Sequence, residues 1–288
     1  MSLKNQLNTA RDGDTVISRD GTPISYLKTG NGPGLILVHG VLSVAANYSQ
    51  LATSLGQRFT VYSIERRGRG LSGPQGEDYS IAKECEDLDV LQKHTGAVYL
   101  FGHSYGGLIA LEAARNNKAF NKIAVYEPGV SVDNSINVSW IPDYEKYMAA
   151  RQYLDAFAIF SIKAGPENAQ KTPLWLMKLM LPLFVKQPKR QQMYDLLPSN
   201  LLEHQQVALK NNTYPDYDEI TAEILLMYGG KSKLKWVGQA LLALKEVLPL
   251  AGVKEFPKLN HFGPDETGPA EIAQALITYF TETKSLSM

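Results

Sequence analysis

The chain has 288 residues, 44% hydrophobic and 20% charged, and its 29 basic side chains are matched by 29 acidic ones. A chain of this length buries about three quarters of the surface of its unfolded form, so one large domain with room for an insertion is expected. An even charge balance without a Lys/Arg-rich stretch argues against nucleic acid and anionic membrane surfaces as partners, which leaves small molecules. The opening MSLKNQLNTARDGD lacks the apolar core of a signal peptide. No apolar run approaches the ~20 residues that span a bilayer. A cytoplasmic location is therefore expected, and oligomeric state is not legible.

In chain order, β-branched apolar runs predict strands over 15–19 and 23–28, joined by a turn short enough for an antiparallel hairpin at a sheet edge. A strand over 35–39 ends in His39-Gly40 and is followed by a helix over 44–55. The strand over 59–64 runs into a Gly- and Arg-rich loop. The helix over 80–94 carries the single cysteine, Cys85, in acidic surroundings with no second Cys or nearby His, so it reads as a structural thiol. A strand over 98–101, a helix over 105–116 and a strand over 123–126 complete the first half. Strands resume at 224–228 and 253–256, with helices over 234–248 and 269–283. Alternation of this kind predicts an α/β fold, a mostly parallel sheet covered on both faces.

The alternation lapses over 129–217, a stretch that carries Trp140, Trp175 and most of the methionines, with helical spacings such as Tyr147, Leu154, Phe157 and Ala158. Pro173, Pro182, Pro188 and Pro198 are expected to break the stretch into short helices. The division expected is a core of 1–128 and 218–288 with a helical insertion of 129–217.

Gly102-His103-Ser104-Tyr105-Gly106 matches G-x-S-x-G. The pattern alone is weak, but here a strand leads in and a helix leads out, the context in which a serine is lifted above a sheet on a strained turn. A serine hydroxyl needs a base to become a nucleophile. Among five histidines, His103 is expected to point away from Ser104, and His94 and His204 to be solvated. His39 reads as a shaper of its loop. His261 follows the last strand and precedes the final helix, on the same carboxyl edge of the sheet as Ser104. It is the expected base.

At these residues the chain resembles the α/β-hydrolase fold family. Val38-His39-Gly40 is similar to that family's HG loop, and Glu65-Arg66-Arg67-Gly68-Arg69-Gly70-Leu71-Ser72 to its D-x-R-G-x-G-x-S loop, with Glu in place of Asp. The resemblance covers nearly the whole chain. It implies an eight-stranded sheet, an inserted helical cap, and an oxyanion hole formed by the backbone N–H groups of Val41 and Tyr105. It also implies an acid after the seventh strand. Here the segment Met227 to Ser232 has none, and Ser232 stands in the vacated place. Some members carry the acid after the sixth strand instead, where Glu127 lies, and Glu127 is the acid expected to orient His261.

Ser, His and a carboxylate suit acyl transfer to water on an ester-like bond, with no metal or organic cofactor. Neither G-x-G-x-x-G nor a Walker pattern is present. The continuous apolar content of 129–217 suggests a pocket for a small, uncharged, largely apolar substrate, with Trp140, Trp175 and Phe262 as candidate lining residues. Two other readings stay open: C–C bond hydrolysis or lyase chemistry on the same fold, and a ligand-binding receptor with a slow or inactive triad.

Overall fold

In the strand Gly34–Val38 successive side chains face opposite ways, so Ile36 and Val38 enter one apolar cluster while Leu35 and Leu37 enter another. The computed structural model, which describes residues 14–282, repeats this division along one eight-stranded sheet. Its strands are β1 (Thr15–Ile17), β2 (Pro23–Thr29), β3 (Gly34–Val38), β4 (Thr60–Ile64), β5 (Tyr99–His103), β6 (Lys122–Tyr126), β7 (Glu223–Gly229) and β8 (Gly252–Phe256). They lie in the order β1-β2-β4-β3-β5-β6-β7-β8. β1 and β2 form the expected antiparallel edge hairpin, β2 is antiparallel to β4, and every later pairing is parallel.

Helices α1 (Ser49–Leu55), α2 (Ile81–Thr95) and α3 (Tyr105–Asn116) follow β3, β4 and β5. The insertion holds α4 (Ile141–Ala149), α5 (Tyr153–Lys163), α6 (Glu167–Gln170), α7 (Leu174–Phe184), α8 (Lys189–Asp195) and α9 (Leu197–Leu209). α10 (Lys235–Val247) and α11 (Pro269–Thr281) complete the chain, and the expected end of the last helix at residue 283 lies outside the described residues. One sheet face is covered by α2, α3 and α10 through Leu88, Leu91, Ile109, Leu111 and Leu244. The other face is covered by α1 and α11 through Leu51, Leu55, Ile272, Leu276 and Phe280. Ser80 caps α2, its hydroxyl accepting from the Lys83 N–H at 3.4 Å, and Gly96 ends it at φ 65°.

Helices α4–α9 build a third cluster around Trp140, Tyr144, Phe157, Ile162, Met177 and Leu197. Pro173, Pro188 and Pro198 stand at helix starts, as expected. Pro182 does not break the chain; it sits inside α7, two residues before that helix ends. The helical segment meets the rest of the molecule at the loops beyond the carboxyl ends of the strands. Glu203 of α9 binds both Arg66 and Arg69, Lys189 of α8 pairs with Glu266, and Gln192 donates to Asn47 at 3.0 Å. Asn47 follows β3, Arg66 and Arg69 follow β4, and Glu266 follows β8, so the segment packs on the edge where Ser104 emerges.

Two expectations are corrected here. His204 is not solvated: it is buried edge-on between Trp140 and Phe160, with Nδ1 bonded to the Asn200 carbonyl at 2.9 Å. Burial lowers its pKa to about 4, so it is a neutral core side chain. Nor does the apolar run in α7 turn wholly inward. Met177 and Leu181 enter the third cluster, but Trp175, Leu179, Leu183 and Phe184 are 62–75% exposed.

Candidate active site

The turn at Ser104 is built by crowding. An added Cβ on Gly102 would lie 2.4 Å from the Gly106 carbonyl oxygen, and one on Gly106 would lie 2.3 Å from that of Val38. Only glycine permits this approach. Ser104 itself has φ 55° and ψ −121°, a conformation that costs a few kcal/mol in isolation. Tertiary bonds hold it there: its N–H donates to the Tyr126 carbonyl at 3.0 Å, and its own carbonyl accepts from Gly107 and Gly129 at 2.9 Å each.

The structure brings Ser104, His261 and Glu127 together. His261 Nε2 lies 3.2 Å from Ser104 Oγ, and His261 Nδ1 lies 2.7 Å from Glu127 Oε2. Because a carboxylate only accepts, the proton belongs on Nδ1, which leaves Nε2 free to accept from the serine hydroxyl. Glu127 is fully buried at φ 42°, in the first position after β6. Its Oε1 accepts from the Gly229 N–H at 2.9 Å, and its Oε2 also accepts from Ser232 Oγ at 3.0 Å. Ser232, in the vacated acid position, hydrogen-bonds to the carboxylate that stands one strand away.

The loop Gly40-Val41-Leu42 faces the same hydroxyl. A Cβ on Gly40 would come within 3.1 Å of the Ser104 Cβ and 3.7 Å of its Oγ. Among the described residues neither the Val41 N–H nor the Tyr105 N–H has an acceptor. Tyr105 is the first residue of α3, where backbone donors are unpaired by the geometry of a helix. Arg66 steadies this loop, donating to the carbonyls of His39 and Gly40 at 3.2 Å each, with its guanidinium 4.9 Å from the Tyr105 ring. Burial opposes the charge on Arg66, but the carboxylates of Glu203 and Glu84 outweigh it and keep the group charged.

Several neighbours are not legible in the motifs. His103 does point away from Ser104, and it also holds the His261 loop: its Nε2 donates to the His261 carbonyl at 2.8 Å, and its Nδ1 accepts from the Tyr48 hydroxyl. Burial, and then the nearby His261, keep His103 neutral, as that pattern of bonds requires. Tyr126 donates to the Asn260 carbonyl at 2.7 Å. The rings of Trp236 and Phe262 stand edge-on to His261 at 5.8 and 5.7 Å. Asp265, four residues after His261, is pushed up to about 7 by burial.

The three candidate lining residues part company. Phe262 is half exposed beside His261. Trp140 is buried inside the helical segment against Tyr144, Phe160 and His204, its N–H donating to the Asn137 carbonyl at 2.8 Å. Trp175 is 68% exposed on α7. Among the described residues neither tryptophan has a hydrogen bond or ring contact with Ser104, His261 or Glu127, because helical periodicity gives a face but not its partner. Cys85 has no reactive setting: burial raises its thiol pKa, and Glu112 and Glu84 raise it further. Among the described residues no group of three or more His, Cys, Asp or Glu could hold a metal ion, and no helix is long and apolar enough to cross a membrane.

Residues 35–275 match the family profile described as the alpha/beta hydrolase family. The chain is 26% identical over 267 residues to the 2-(acetamidomethylene)succinate hydrolase of Mesorhizobium japonicum, covering 90% of this chain and 91% of that one. It is 32% identical over 120 residues to the N-formylmaleamate deformylase of Pseudomonas putida, a match to 40% of this chain and only 45% of the relative's length. Among solved structures, an alpha/beta hydrolase from Sphaerobacter thermophilus superposes with a TM-score of 0.79 at 29% identity, covering 93% of this chain and all of that one.

Proposed function

From the premise that this chain belongs to the alpha/beta hydrolase family and is a hydrolase, we propose that it is a serine hydrolase that cleaves a small acyl substrate through an acyl-enzyme on Ser104. The observation that carries the reading is the continuous hydrogen-bonded chain from Ser104 Oγ through His261 to Glu127. Residues 129–217 act as a cap on a core of 1–128 and 218–288.

As Ser104 Oγ attacks the acyl carbon, His261 Nε2 takes its proton, and Glu127 stabilises the imidazolium without itself being protonated. The Val41 and Tyr105 N–H groups donate to the developing oxyanion; each such donor contributes about two to three orders of magnitude in rate. His261 then gives the proton to the leaving atom. Water attacks the acyl-enzyme, loses a proton to His261, and the proton returns to Ser104. No step requires a metal or organic cofactor.

The substrate reading from residues is an uncharged, largely apolar ester. A second reading draws on the relatives: both are named for N-acyl compounds that carry carboxylates, which favours an amide-type acyl bond and an anionic substrate. The same triad would also serve C–C bond hydrolysis. Steady-state rates on p-nitrophenyl esters from acetate to decanoate, beside N-acyl amides with and without a carboxylate and a β-diketone, separate these readings. A buried methylene adds about 0.8 kcal/mol, roughly fourfold in kcat/KM, so esters should improve over the first carbons and then fall off as the cap clashes. A flat ester profile with a marked preference for the anionic amide would transfer the chain to the second reading. Turnover undiminished in Ser104→Ala would remove the serine mechanism altogether.

A further inference from the structure

Helix α7 is apolar on two sides, and only one of them is covered. Met177 and Leu181 pack into the cluster of the helical segment, while Trp175, Leu179 and Leu183 recur at four-residue spacing on the outside with Phe184 beside them. These four large side chains are 68, 62, 66 and 75% exposed. Isolated apolar residues on a surface are ordinary, but a contiguous stripe of this size on one helix marks an interaction site.

The charge around the stripe identifies what it meets. Between residues 163 and 190 the chain carries six basic side chains (Lys163, Lys171, Lys178, Lys186, Lys189, Arg190) and one acidic one, Glu167, although its total charge is zero. Lys178 is paired with Asp155, Lys189 with Glu266, and Glu167 with Lys235. Among the described residues Lys163, Lys171 and Lys186 are exposed with no carboxylate partner, and Arg190 donates only to the Pro182 carbonyl. The even balance of the whole chain averages this local excess away.

We propose that the outer face of α7 docks the protein reversibly on an anionic phospholipid surface. A helix of 11 residues is about 16 Å long, so it lies in the plane of the interface rather than crossing it. Trp, Leu and Phe side chains enter the boundary between headgroups and acyl chains, and the flanking lysines reach the phosphates along their apolar stems. A second copy of the chain fits less well, because two-fold pairing through this face would oppose two positively charged surfaces. The proposal is independent of the reaction assigned above. α8, which follows α7, is the helix that reaches the His261 loop through Lys189 and Glu266, so a docked protein holds that loop near the surface.

Co-sedimentation of the full chain with sucrose-loaded vesicles tests it, using pure phosphatidylcholine against an equal mixture with phosphatidylglycerol. Wild type should bind the mixed vesicles, bind pure phosphatidylcholine far more weakly, and be released by salt, since surface electrostatics are screened within about a nanometre at physiological ionic strength. Leu183→Ser with Phe184→Ser should lower mixed-vesicle binding at least tenfold. Lys171→Gln with Lys186→Gln should lower it about fivefold per lysine. Both pairs should retain wild-type melting temperature and turnover of a soluble p-nitrophenyl ester, which separates lost docking from lost folding. No binding by wild type, or equal binding by wild type and both variants, overturns the proposal. So does a dimer, seen by light scattering without vesicles, that the Leu183/Phe184 variant converts to monomer.

Discussion

The carboxylate of Glu127 lies 2.7 Å from the Nδ1 of His261, although 134 residues separate the two in sequence. The contact exists because β6 ends beside β5 on one side and β7 on the other, so the first residue past β6 opens onto the gap between Ser104 and the His261 loop. A carboxylate after β6 therefore reaches the imidazole that one after β7 serves in most of the family.

Replacing Glu127 with Gln keeps the shape and removes the charge. The amide can offer Nδ1 an oxygen, but it cannot stabilise the imidazolium. The expected result is a fall in kcat of two orders of magnitude or more with a small change in KM. Ser232→Ala removes one of the hydrogen bonds to Glu127 and should cost only severalfold. Steady-state kinetics on the best ester check both. If Ser232→Ala is the crippling variant and Glu127→Gln is tolerated, another group orients His261.

Ser104→Ala and His261→Ala should each abolish turnover, and the double variant should be no worse than either single one, because the pair acts as a unit. Labelling with a fluorophosphonate probe should fail in both. Independent, additive losses would mean that the two residues do not share one proton transfer.

Glu203→Ala should destabilise the fold strongly. It leaves the guanidinium of Arg69 without its carboxylate and Arg66 with Glu84 alone, all of them buried. Removing one partner from such a network costs about 3–5 kcal/mol, which lowers Tm by roughly 10 °C in a chain of this size. Calorimetry checks it. A Tm within error of wild type would show that water reaches the cluster.

Burial raises the Glu65 carboxyl from 4.5 to about 7, against the Ala45 N–H and Arg69 that favour its charge. The folded protein thus holds this proton more tightly than the unfolded chain does. Its contribution to stability is full below pH 4.5 and is lost as the pH rises to about 7, amounting to about 3 kcal/mol. Asp265, raised by burial from 3.8 to about 7, acts in the same direction. Glu65→Gln resembles the protonated form, so it should match wild type near pH 5 and exceed it in Tm at pH 8. Thermal melts across that range check the sign, and a constant difference between the two proteins would contradict it.

Much of the core and the turn at Ser104 were legible because the physics there is local. Alternating apolar side chains at 35–38 must cover both faces of a sheet whatever lies above them. Gly102 and Gly106 announce a backbone approach that no side chain allows. His261 followed from its place after the last strand, at the edge where all parallel strands end. Tertiary structure alone decided what depends on which distant group is opposite. That His204 is a buried neutral side chain rather than a solvated one rests on Trp140 and Phe160, which lie far from it in sequence. His103 supports the His261 loop through a carbonyl 158 residues away. The four apolar residues on the outside of α7 have the same periodicity as the two on its inside. A spacing of 3.6 residues defines a helical face, but only the packed neighbours determine whether that face meets protein or solvent.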